Sequence, residues 1–245
     1  ALFYSVLLYT LPTFLIFIFG DSMVYLTQLT NDFYSLRVHR PFPASLYFYL
    51  SILIIILIQR KPNSRKLYIF FGILLGMQFS SFYYFFLISG LSFFINYLLS
   101  NKNNILKNLK KNINNLLLLL SSFVVVSLPF AYFLFTSEPD VLTSSGLFVL
   151  TPEKKNYIIN YFIDKYLDQR FIILNIIIIT IVFFINIKLT KFKILFNTLY
   201  IFFISSMIAP ILFFAFSNKS GLIYHFSNSI ILIAYNFFYY FLIYF

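Results

Sequence analysis

The chain contains no cysteine and no tryptophan, only two histidines, and seven acidic residues among 245. Without cysteine there are no disulfides, no cysteine-held iron–sulfur clusters and no cysteine-ligated zinc. Charged residues make up 10% of the sequence, against about 25% in a soluble domain. Hydrophobic residues make up 61% and the mean hydropathy is +0.89, where a soluble domain holds about 45–50% apolar residues. By length alone one or two soluble domains would fit, but the apolar fraction leaves none. What is present instead is a series of long apolar runs rich in Phe (36) and Tyr (20). Those residues share A+T-rich codons with Ile, Asn and Lys, so base composition accounts for part of the aromatic excess.

A membrane span needs about 20 mostly apolar residues to cross a hydrocarbon core of about 30 Å. Runs that qualify cover residues 2–19, 116–136, 171–187, 194–216 and 222–245, with a shorter one at 44–58. All are expected to be helices, because every backbone polar group in lipid must be satisfied internally. They lack the alternation of an outer-membrane barrel. Residues 67–99 are too long for one span, and basic segments flank them on both sides, so a hairpin is expected: a short arm over 67–79, a turn near Ser80 and Ser81, and a second arm over 82–99. Gly72 and Gly76 form a G-x-x-x-G spacing that lets a neighbouring helix approach closely. The expected fold is therefore all-α: a single transmembrane domain over residues 1–245, a polytopic bundle of about eight transmembrane or half-membrane helices.

The connections carry the charge pattern. Segments 59–66 (QRKPNSRK), 100–115 (SNKNNILKNLKKNINN) and 188–193 (KLTKFK) hold four, four and three basic residues and no acid, together equal to the net charge of +11. All seven acids fall in segments 20–43 and 137–170. Short loops rich in Lys and Arg stay cytoplasmic, so the basic segments are read as inner loops, the acidic ones as outer loops, and both chain ends as cytoplasmic in a multi-pass plasma or inner membrane. The inner lysines then meet an anionic leaflet; no aromatic-interleaved basic motif points to nucleic acid. The sequence opens on ALFYSVLLYT without Met and stops inside the apolar run NFFYYFLIYF, which suggests a piece of a longer protein.

Segment 20–43 (GDSMVYLTQLTNDFYSLRVHRPFP) gathers Asp21, Asp32, Arg37, His39 and Arg40 beside apolar spans. Val24, Leu26, Leu29, Phe33 and Leu36 roughly fit one helix face, as an interfacial helix would. An acid in such a place can take a proton from a nucleophilic hydroxyl, and guanidiniums can hold a phosphate leaving group by paired hydrogen bonds. Asp21 and Asp32 are thus candidate catalytic bases, and Arg37, His39 and Arg40 candidate substrate contacts. The same charges also read as ordinary loop residues, with the arginines snorkelling to lipid headgroups. In 137–170, Glu138 and Asp140 flank Pro139 and could bind a divalent cation, but no His nearby supports one, and no cofactor is identified. Residues 156–170 read as a second interfacial helix, with Asp164 and Asp168 one turn apart on a solvated face. His225 reads as a packing residue at a span end, and Gln78 as a side chain bonded to a neighbouring helix. No ionisable residue lies deep in a span, which weighs against ion-coupled transport.

The stretch from Arg37 to Leu99 combines HRPFPASLYFYL, a long apolar run, the basic turn QRKPNSRK and LYIFFGILLGMQFSSFYYFFLISGL. This resembles the mid-section of polytopic glycosyltransferases of the GT-C superfamily, which includes the protein mannosyltransferase-like and arabinosyltransferase-like enzymes. The shared features are an arginine- and proline-bearing entry to a span and a short-helix hairpin with G-x-x-x-G followed by tyrosines. The resemblance implies a polyprenyl-phosphate-linked sugar donor, transfer to an acceptor at the outer face, and an essential acid in the first outer loop. Asp21 is the residue here that could match that acid, although in the family the loop is long and precedes several spans. Two other classes fit a polytopic, aromatic-rich chain: a polysaccharide polymerase, flippase or other transporter, and a non-catalytic membrane subunit.

Overall fold

A computed structural model describes residues 42–81, 83–100, 105–136, 148–149, 151–188, 192–216 and 219–220. These form seven helices: α1 (Phe42–Arg60), α2 (Arg65–Ser81), α3 (Tyr83–Ser100), α4 (Ile105–Thr136), α5 (Pro152–Leu167), α6 (Gln169–Lys188) and α7 (Lys193–Phe216). Two two-residue strands, β1 (Phe148–Val149) and β2 (Lys219–Ser220), pair antiparallel with Phe148 opposite Ser220. Among the described residues, four stretches are long and apolar enough to cross a membrane: Tyr83–Ser100, Lys107–Phe133, Phe171–Lys188 and Lys193–Ala215. The described part of the chain is therefore a helical, membrane-embedded bundle. The expected spans 2–19 and 222–245 lie outside the described residues.

Local chemistry sets the helix ends. Pro43 falls in the first turn of α1, where its missing N–H removes no intrahelical bond. Pro62 stops the chain after Arg60, because a proline disfavours the helical conformation of the residue before it. Thr151 caps α5: its Oγ1 accepts from the Lys154 N–H at 3.4 Å and its carbonyl from Lys155 N–H at 3.0 Å. Pro152 and Glu153 then supply the favoured first-turn residues. The carbonyl of Asp168 accepts the N–H of Ile172 at 3.0 Å and so opens α6.

Several helix boundaries differ from the expected ones, two of them by a wide margin. The turn sought at Ser80 and Ser81 is helical, and α2 runs through both. Their hydroxyls donate back to the carbonyls of Gly76 and Met77, at 2.9 and 2.7 Å, which satisfies serine without leaving the helix. With 17 residues, α2 is then about 25 Å long. The segment 100–115, read as a loop, is helical from Ile105 onward. Ile105, Leu109, Ile113 and Leu116 recur at helical spacing among its lysines and asparagines, so α4 reaches 32 residues, about 48 Å.

Side-chain pairs fix the directions. Phe48 stacks on Phe85 at 4.5 Å and Gln59 bonds Asn96, so α1 and α3 run parallel. Phe79 meets Phe86 at 5.3 Å while Phe71 meets Phe93 at 5.0 Å, so α2 runs against α3. Gly72 faces Leu119 and Ser122, and Gly76 faces Phe123 and Val126, so α2 and α4 are parallel. Tyr83 packs on Phe213 at 5.1 Å and Gln59 bonds Thr198, which sets α7 against both α1 and α3. Asn186 pairs with Asn197 and Phe171 with Phe203, so α6 runs against α7. Leaving aside α5, the six helices α1 to α4, α6 and α7 alternate in direction along the chain. The ends of α1, α3 and α6 and the starts of α2, α4 and α7 therefore gather at one end, with the basic residues from Arg60 to Lys66 and from Lys107 to Lys111, and with Lys188 and Lys193. The opposite end carries α5, where Phe162 lies against Phe214 and Lys155 Nζ donates to the Ala215 carbonyl at 3.1 Å.

Apolar residues lie both inside the bundle and on its outer face. Phe48, Phe71, Phe196, Phe202 and Phe203 are fully enclosed, while Val125 is 72% and Phe183 66% exposed. Lipid is as apolar as leucine, so close packing and interhelical hydrogen bonds select the arrangement.

Candidate functional site

The candidate bases Asp21 and Asp32 and the candidate phosphate contacts Arg37, His39 and Arg40 lie outside the described residues, as do Glu138, Asp140 and His225. The structure describes the place where that segment joins the bundle. Helix α1 begins at Phe42, at the end that carries α5 and opposite the basic termini.

At this end α5 lays Ile158 and Phe162 against α7 and exposes Tyr157 and Leu167. The spacing i, i+4 on one face and polar residues on the other is what an interfacial helix requires. Glu153, Asp164 and Asp168 all lie on exposed positions of this layer. The Tyr166 ring packs between Phe162 (6.0 Å) and Phe171 (5.3 Å), and its buried hydroxyl has no hydrogen-bond partner among the described residues. Burial pushes that hydroxyl's pKa well above its ordinary 10.0, because a phenolate would lose its water. Among the described residues no three His, Asp or Glu side chains come together in a way that could hold a metal ion.

Polar groups inside the bundle form four interhelical bonds, among the described residues, that bear on its rigidity. Gln78 Nε2 donates to Ser51 Oγ at 2.9 Å, tying α2 to α1, as a polar side chain within an apolar hairpin should. The stronger tie was hidden in the sequence. Gln59, which reads as part of a basic loop, lies in the last turn of α1; its Nε2 donates to Asn96 Oδ1 at 2.7 Å and to Thr198 Oγ1 at 2.9 Å. It joins α1, α3 and α7 at the basic end. One level away, Asn186 Nδ2 donates to Asn197 Oδ1 at 3.0 Å between α6 and α7. The usable signal was the recurrence of Asn and Thr near span ends on three separate runs; nothing in the sequence says that they meet.

No family model matches the chain, and no curated protein or solved structure matches it either.

Proposed function

We propose that the chain is a membrane glycosyltransferase that moves a sugar from a polyprenyl-phosphate donor to an acceptor hydroxyl at the outer face. The observation that carries this reading is the alternation of helix direction. It gathers the basic residues from Arg60 to Lys66 and from Lys107 to Lys111, with Lys188 and Lys193, at one end and starts α1 at the other, directly after the sequence that holds Asp21, Asp32, Arg37, His39 and Arg40. With the basic end cytoplasmic, α1 starts on the outer side, at the end that carries α5. A GT-C-like bundle of about eight spans, with residues 1 and 245 on the cytoplasmic side of a plasma or inner membrane, is the architecture that goes with this reading.

In the reaction, the Asp21 carboxylate, with Asp32 as the alternative, accepts the proton of the acceptor hydroxyl. The freed oxygen attacks the anomeric carbon, the bond from that carbon to the phosphate oxygen breaks, and polyprenyl phosphate leaves with both electrons. Arg37, Arg40 and His39 neutralise the phosphate as its charge develops. The charge-free interior of the described spans supports a face-bound reaction over a path for ions through the bundle.

The test is sugar transfer from a polyprenyl-phosphate donor in membrane vesicles, with Asp21→Asn and Asp32→Asn measured beside the parent chain. Losing a general base lowers the rate by about 10²–10⁴-fold while the amount of inserted protein stays unchanged. Full transfer in both variants would overturn the assignment. A parent chain that moves lipid-linked glycan across the membrane without transferring sugar would identify a flippase instead.

A further inference from the structure

The N-terminus of α2 and the flank of α4 enclose an open groove of about 330 Å³ at the basic end of the bundle, lined by Arg65, Asn114, Leu117, Leu118 and Ser121. We infer that this groove is a binding site for one anionic phospholipid, its phosphate held by Arg65 and Asn114 and the upper part of its acyl chains lying on Leu117 and Leu118.

The lining changes character with depth. Asn114 and Ser121 are seven residues apart on α4, so the groove runs about 10 Å along the helix axis. It begins among polar groups, passes over two leucines, of which Leu117 is 52% exposed, and ends at Ser121, whose hydroxyl already donates to the Leu117 carbonyl at 2.8 Å. A free inorganic ion has no use for that apolar wall, whereas a phospholipid presents a charged head and an apolar body in the same order.

The charges have no internal counter-ion. Arg65 and Asn114 are exposed, and neither makes an ion pair or side-chain hydrogen bond among the described residues. Segments 59–66 and 100–115 contain no acid, and the described acids sit on α5 and at its junction with α6, at the far end of the bundle. Lys107, Lys111 and Asn114 recur at intervals of four and three on α4, and Lys110 stands one turn before Asn114, so three exposed ammonium groups lead to the groove mouth. Basic pockets between membrane helices at the cytoplasmic face are where anionic headgroups bind. The guanidinium of Arg65 matches the paired oxygens of a phosphate, and the Asn114 amide supplies a further donor.

The full chain, placed in bilayer discs of equimolar phosphatidylglycerol and phosphatidylcholine, is released into native mass spectrometry and the retained lipids are counted. The parent chain should retain phosphatidylglycerol in preference, and Arg65→Gln should cut that preference about tenfold. Lys61→Gln removes an equal charge from the same end and should leave most of the preference in place. Asn114→Leu, which keeps every charge, should lower retention as well, and thermal unfolding in phosphatidylcholine alone shows that each variant is folded. Equal losses in Lys61→Gln and Arg65→Gln would show diffuse surface attraction and overturn the site, as would no loss in Arg65→Gln. Displacement of the lipid by millimolar inorganic phosphate would also overturn it.

Discussion

The contact between α2 and α4 is where the sequence and the geometry meet most directly, and replacing Gly72 by Ala tests it. A Cβ at Gly72 would collide with the Leu119 carbonyl oxygen and with Ser122 Oγ, and one at Gly76 would fall 2.7 Å from Val126 Cβ. At Gly90, on α3, a Cβ meets nothing within 4 Å. Alanine in place of glycine favours a helix by about 1 kcal/mol wherever it is placed. That gain is common to Gly72→Ala and Gly90→Ala and cancels between them. The remaining difference is the cost of pushing α2 off α4, about 1–3 kcal/mol for an overpacked contact. Thermal unfolding in a mild detergent should therefore place Gly90→Ala at or above the parent chain and Gly72→Ala below Gly90→Ala by roughly 3–10 °C. Because the Leu119 oxygen is backbone, adding Ser122→Ala should not restore the loss. Equal midpoints for the two alanine variants would refute the reasoning, since they would mean that α2 and α4 do not touch at this face.

Replacing Gln59 by Leu keeps the span apolar but removes both bonds to α3 and α7, leaving Asn96 Oδ1 without its donor. At about 0.6 kcal/mol for each interhelical bond in a membrane, the expected loss is about 1 kcal/mol by the same melting assay, and an unchanged midpoint would mean that the clasp is absent in solution. Tyr166 gives a pH dependence. Its pKa is raised by burial, so the neutral hydroxyl contributes stability that is present below the unfolded value of 10.0 and lost as the pH rises past it. Between about pH 8 and pH 11 the parent chain should lose stability relative to Tyr166→Phe; parallel pH profiles for the two would show that the hydroxyl is hydrated.

Much of the framework could be read from hydropathy and charge because lipid imposes a one-dimensional rule: an apolar run of span length has to be a helix. The break within 67–99 followed from the basic segments on either side, and the structure places two antiparallel helices there. The ends of elements were harder. Ser80 and Ser81 look like a turn, yet they bond the carbonyls four residues back. Residues 105–115 look like a basic loop, yet their apolar residues keep the period of α4. The candidate site was read from the residue types between Asp21 and Arg40, and what the structure adds is the end of the bundle at which α1 begins.

The sequence by itself determined that the chain enters a membrane, that the described apolar runs are helices, and which connections carry positive charge, because each depends on the chemistry of neighbouring residues alone. Only the tertiary structure decided that the G-x-x-x-G face meets α4, that Gln59 reaches Asn96 and Thr198, and that Arg65 stands beside Asn114. These residues are 37 to 139 positions apart in the two bonded pairs. When nearly every side chain is apolar, hydropathy does not distinguish one helix partner from another; shape and a few hydrogen bonds do, and those exist only once the helices are packed.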